Sequence, residues 1–117
     1  MERTDAIAAL GALAHDGRLD VFRMLVQMGP EGMAAGEIAR ATGSVLSTQS
    51  ANLAVLTRAG VITARRDGRS MIYTAAYDQM RELLSFLMED CCAGKPEICA
   101  PLIAEASQPC SAEGRSC

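Results

Sequence analysis

The sequence predicts a mainly α-helical domain carrying one β-hairpin, and three observations predict it. The chain has 117 residues, a length that suits a single domain. Half of its residues are hydrophobic, yet Phe22, Phe86, Tyr73 and Tyr77 are the only aromatics, so the core is built from Ala, Leu, Ile, Val and Met. Of these, Ala and Leu are strong helix formers. Apolar residues recur at helical spacing along most of the chain, and the period changes after Gly60, where two extended runs flank Asp67-Gly68.

Each element follows in order. Ile7, Leu10, Leu13 and Ala14 sit at helical spacing in a first helix over about 4–14, which ends at His15-Asp16-Gly17. Asp16 is placed to cap a second helix over about 17–28, with Leu19, Phe22, Leu25 and Val26 on one side and Gly29-Pro30 as its stop. Residues 35–42 form a short helix with Ile38 inward, closed by Gly43. Ser47 caps a helix over about 48–59, with Leu53 and Leu56 inward and Gly60 in the C-cap position. Two short helices joined by four or five residues, the second rich in small polar groups, form a helix-turn-helix pattern. The runs 61–66 and 69–74 then make a hairpin around Asp67-Gly68, because both turn positions need positive φ. A last helix over about 76–92 carries Tyr77, Met80, Leu84, Leu87 and Cys91 in a near-heptad stripe, and Gly94 and Pro96 end it. Residues 1–92 thus make a winged helix-turn-helix with a two-stranded wing. Residues 93–117 make a cysteine-containing extension, rich in Ala, Ser, Pro and Glu, that reads as a loosely ordered tail.

The net charge of −3 conceals an asymmetry. Residues 36–75 hold Arg40, Arg58, Arg65, Arg66 and Arg69 against Glu37 and Asp67, whereas the remainder holds six basic and twelve acidic groups. An acidic chain with one basic segment is the pattern of a face that meets a polyanion. In the fourth helix, Ser47, Thr48, Gln49, Ser50 and Asn52 offer hydroxyl and amide groups to base edges, Gln and Asn being suited to adenine. Around the hairpin tip, Arg65, Arg66 and Arg69 suit phosphate contact or insertion into the minor groove. The plain alternative is that these arginines only blunt an exposed hairpin edge, and it must hold for all three at once. Double-stranded operator DNA is the partner this pattern favours.

Three stretches also resemble the ArsR/SmtB repressors: Ala-Leu-Ala-His-Asp-Gly-Arg-Leu-Asp-Val-Phe over 12–22, Gly-Glu-Ile-Ala over 36–39, and Ser-Ala-Asn-Leu-Ala-Val-Leu-Thr-Arg-Ala-Gly-Val-Ile over 50–62. The resemblance covers about residues 4–90. It implies a homodimer, formed by the first and last helices, that blocks a promoter until an inducer binds. The family often has a histidine where this chain has Ala51-Asn52 and a lysine where it has Ala54, so operator preference does not carry over.

The five cysteines make about 4% of the chain, well short of the roughly 8–10% of a disulfide scaffold. No stretch approaches the roughly 20 apolar residues of a membrane span, and the N-terminus lacks a signal peptide's basic start and apolar run. The expectation is a cytoplasmic protein with reduced thiols. His15 stands alone, which excludes a site of several histidines. Within the resembled family, one arsenic site needs Cys-x-Cys beside the short helix and one zinc site needs histidines on the last helix, and this chain has neither. What remains is Cys91-Cys92-Ala-Gly-Lys-Pro-Glu-Ile-Cys99, similar to the arsenic repressors whose three cysteines lie at the end of the last helix.

A physical case stands beside that resemblance. Cys91, Cys92 and Cys99 can converge as three sulfur ligands around a Gly-Lys-Pro turn, and three sulfurs without nitrogen favour a soft, thiophilic centre. As(III) matches, with Sb(III) as its near equivalent, better than zinc, which generally takes four ligands. No organic cofactor is implied. Cys91 also continues the apolar stripe and reads equally well as a core residue, whereas Cys92 and Cys99 do not.

Besides a non-DNA role, in which the basic hairpin docks on an acidic protein, two other functions compete with an arsenic-released repressor. One is a thiol-based redox or persulfide-responsive repressor of the same fold. The helix end together with Glu89 and Asp90 works against it, by disfavouring thiolates at Cys91 and Cys92. The other is an enzyme, for which the chain lacks any grouping of base, nucleophile and pocket. Cys110 and Cys117 read best as idle tail thiols.

Overall fold

The computed structural model describes residues 1–89. Its elements run α1 (Arg3–Leu13), α2 (Asp16–Met28), β1 (Met33–Ala34), α3 (Ala35–Thr42), α4 (Leu46–Arg58), β2 (Ile62–Asp67), β3 (Ser70–Ala75) and α5 (Tyr77–Leu87). The core described below lies within the unit Met1–Phe86. The architecture is the mainly helical, winged helix-turn-helix arrangement that the sequence predicts.

Helix α1 turns Ala6, Ala9 and Ala12 inward and leaves the larger Ile7 and Leu10 outside. Small side chains let it lie close against α2 and α4. At the junction, Arg18 Nε donates to the Ala12 carbonyl at 2.7 Å, satisfying one of the orphan acceptors of the α1 end. The cap of α2 is His15 rather than the expected Asp16: His15 Nδ1 accepts from the Arg18 N–H at 3.3 Å. Asp16 is instead the first helical residue, where its charge suits the positive end of the helix. Val21, Phe22 and Leu25 face the core, while Leu19 and Val26, expected beside them, stay 43% and 38% exposed. The apolar arc of α2 is wider than its neighbours cover.

Helix α3 occupies the predicted residues. Glu37 Oε1 accepts from the Ala34 N–H at 3.1 Å and steadies its first turn, and Ile38 is fully buried. Helix α4 begins at Leu46, two residues before the expected start. Its N-cap is Val45, so Ser47 lies inside the helix and caps nothing. Leu53 and Leu56 are buried as expected.

The sheet has three antiparallel strands in the order β1-β3-β2, one more than the two-stranded wing predicted. Met33 pairs with Tyr73 and Ala34 with Ile72, and a strand of two residues leaves no alternating pattern to read. The chain enters it through Gly32 at φ 75°, where a Cβ would stand 2.5 Å from the Tyr73 carbonyl oxygen. In the wing, Ile62 pairs with Ala75 and Asp67 with Ser70, so the two-residue loop is Gly68-Arg69 rather than Asp67-Gly68. Gly68, at φ 64°, supplies the positive φ required at the first loop position, and this frees Asp67 to pair.

Helix α5 runs Tyr77–Leu87 within an expected 76–92, and the remainder lies outside the described residues. Leu83 enters the core, with Met80 and Phe86 packed partly against it. Leu84 and Leu87, read as one stripe with Tyr77 and Met80, point outward. The Tyr77 hydroxyl donates to the Val26 carbonyl at 3.1 Å and approaches that of Leu25 at 3.4 Å, joining the start of α5 to the end of α2.

Candidate nucleic-acid interface

Leu53 and Leu56 fix which way α4 faces. Residues four and seven positions earlier share their side of the helix, so Gln49 and Asn52 are drawn inward, to 2% and 7% exposure. Gln49 Nε2 donates to Thr42 Oγ1 at 2.8 Å, and the Thr42 hydroxyl donates in turn to the Ile38 carbonyl at 2.9 Å. Asn52 lies against Gly17 at the α1–α2 junction, its Nδ2 placed 3.2 Å from where a Cβ on residue 17 would stand. The expectation that these two amides meet base edges is therefore corrected. Gln49 ties α3 to α4, and Asn52 packs beneath the helix.

The outward surface of α4 keeps Ser47, Thr48 and Ser50 exposed, as expected of groove-facing residues. Beyond them stand Ala51 and Ala54, also exposed. Ahead of them, Val45 and Leu46 are 65% and 64% exposed, and the sequence reading passed over both. Spacing gave no signal for this: Leu46 stands seven residues before Leu53, which would place it inward, and it is nevertheless exposed.

The wing divides the three arginines expected at its tip. Arg69 lies in the loop and Arg66 pairs with Met71 next to it; both are exposed, and neither makes an ion pair among the described residues. Arg65 is placed differently. Its guanidinium donates to the Glu31 carbonyl at 2.9 Å and to Thr74 Oγ1 at 3.3 Å, which ties the wing to the turn between α2 and β1. With those donors engaged, Arg65 positions the wing instead of standing at its tip. The described residues thus combine an exposed, hydroxyl-bearing helix surface with a hairpin that carries two exposed arginines.

Comparison with known proteins agrees with this arrangement. A helix-turn-helix domain family model matches residues 13–65, the span from the end of α1 into β2. The HTH-type transcriptional regulator YgaV of Escherichia coli is 32% identical over 87 residues, covering 74% of this chain and 86% of that one. The homodimeric winged helix-turn-helix DNA-binding domain of Mb0332 from Mycobacterium bovis, a possible ArsR-family transcriptional regulator, superposes with a TM-score of 0.61 at 28% identity. It covers 92% of this chain and 89% of that one. This chain belongs to the ArsR-like family of winged helix-turn-helix transcriptional regulators. A further family relative is the uncharacterised HTH-type regulator Rv0081 of Mycobacterium tuberculosis, 40% identical over 74 residues, and the match spans 62% of either chain.

In this ArsR-like chain, the cysteines proposed to carry an inducer, Cys91, Cys92 and Cys99, lie outside the described residues, as do Cys110 and Cys117. Among the described residues, no three His, Cys, Asp or Glu side chains gather to hold a metal ion. Nor is any helix among them long and apolar enough to cross a membrane. His15 serves as a helix cap.

Proposed function

We propose that this chain is a homodimeric, cytoplasmic repressor that binds operator DNA and releases it when As(III) binds Cys91, Cys92 and Cys99. The observation that carries the DNA reading is the pairing of an exposed α4 surface, with Ser47, Thr48 and Ser50, and a wing that presents Arg66 and Arg69. Hydroxyls suit base edges and backbone oxygens, and arginines suit phosphate. The homodimer is supported by the exposed Ile7 and Leu10 on α1 and Leu84 on α5, and by the homodimeric relative from Mycobacterium bovis. Two copies related by a twofold axis would address half-sites about 34–36 Å apart.

The inducer reading rests on the three thiols within nine residues and on the resemblance to arsenic repressors with cysteines at that place. Sb(III) is expected to act in the same way, and no organic cofactor is involved. Inducer and DNA are linked by one coupling free energy, so operator DNA weakens arsenite binding by the factor by which arsenite weakens DNA binding.

Fluorescence anisotropy on a labelled operator duplex tests both readings. Binding should fall steeply as salt rises and should depend on sequence. Arsenite should release the complex, and Cys→Ser changes at 91, 92 and 99 should abolish that release while leaving DNA affinity intact. Release by zinc alone would overturn the arsenic assignment. Release by mild peroxide with disulfide formation, and not by arsenite, would move the sensor to thiol oxidation.

A further inference from the structure

The first half of the α4 surface lacks the groups that usually read bases by paired hydrogen bonds. Both amides are buried, and between residues 45 and 54 the exposed side chains belong to Val45, Leu46, Ser47, Thr48, Ser50, Ala51 and Ala54. That surface offers methyl groups and hydroxyls alone. Val45 and Leu46 stand at its leading end, where a recognition helix enters the groove. Their exposure is costly in two ways: exposed aliphatic pairs disfavour solubility, and a valine at the N-cap forgoes the stabilisation a Ser, Thr, Asp or Asn would give there. Local rules broken together at one place mark a surface shaped by something other than folding. In the major groove, the feature an aliphatic side chain can recognise is the C5-methyl group of thymine.

We propose that Val45 and Leu46 select thymine by covering its C5-methyl group in the major groove, so that this regulator reads A·T steps by apolar contact rather than by amide–adenine pairing. The proposal rests on the DNA-binding reading above and adds which base is read and by which atoms.

The test starts from duplexes that the full-length protein selects out of a randomised library. A selected duplex is then compared with its counterpart carrying deoxyuridine for thymine in one half-site after another, a change that removes only the methyl. A scrambled thymine/uracil pair corrects for altered duplex stability. Wild-type binding should weaken about fourfold for each methyl covered, the factor that follows from burying one carbon's worth of apolar surface. In Val45→Ala and Leu46→Ala proteins, checked for folding by circular dichroism, the thymine-over-uracil preference should shrink towards unity, with the salt dependence unchanged. Equal wild-type affinity for both duplexes, with sequence selectivity kept, overturns the proposal and leaves the DNA reading standing. So does a preference that survives both alanine changes. If no duplex is enriched and no salt-dependent binding is seen, the DNA reading itself fails.

Discussion

Gly32 sits where two constraints meet. Its φ of 75° lies in the left-handed region, and any Cβ there would come within 2.8 Å of Ile72 Cγ2 and Thr74 Oγ1 as well as crowding the Tyr73 carbonyl. Gly32→Ala should therefore lower stability by about 1–3 kcal/mol, read as an earlier urea midpoint. The Thr42–Gln49 bond makes a second residue-scale prediction. Thr42→Val keeps the shape but strands Gln49 Nε2 beside an Oε1 that already has no hydrogen-bond partner, so it should cost about 1–3 kcal/mol. Adding Gln49→Leu removes the stranded amide, and the double variant should be more stable than the two single losses would sum to, as a double-mutant cycle will show. The burial of Gln49 was legible in the sequence all along. It stands four residues before Leu53 and seven before Leu56, and that spacing outweighs the chemistry of its amide. The His15 cap was harder to see, because Asp16 is the stronger capping residue by type and only the geometry beside Arg18 decides between them.

At the scale of elements, α4 and the wing carry opposing demands. Val45→Ser should raise thermal stability by about 0.5–1 kcal/mol through a side-chain cap while weakening operator binding. A change that raises stability and DNA affinity together would contradict the role given to that position. For the wing, Arg66→Ala and Arg69→Ala should each reduce the salt dependence of DNA binding by about one ion released. Arg65→Ala should weaken binding with little change in that slope, since its donors hold the Glu31 carbonyl and Thr74. The helices and the hairpin were readable because each repeats a period over several residues. Strand β1 was not, since two residues repeat nothing. The turn was off by one because Asp-Gly and Gly-Arg both offer one glycine, and the pairing of Asp67 with Ser70 decides which residues form the loop.

Across the whole molecule, the larger apolar side chains of α1 and α5 divide between an inner and an outer allegiance. Alanines and Leu83 serve the core, while Ile7, Leu10 and Leu84 are left for another surface. Replacing Leu10 and Leu84 with Glu should leave the fold intact and convert a dimer into a monomer, seen by sedimentation velocity at micromolar concentration. The stripe read on the last helix left out Leu83, the residue of this helix that the core buries. A helix of Tyr77–Leu87 places Leu83 and Leu84 side by side, and only the position of the neighbouring elements separates them. The Tyr77 hydroxyl has a consequence for motion. It holds carbonyls at the end of α2 from the first residue of α5, some fifty positions along the chain. Two helix ends that would otherwise fray separately are joined, so their amide protons should exchange with solvent as one cooperative unit. In Tyr77→Phe they should exchange independently, the α5 start faster than the α2 end.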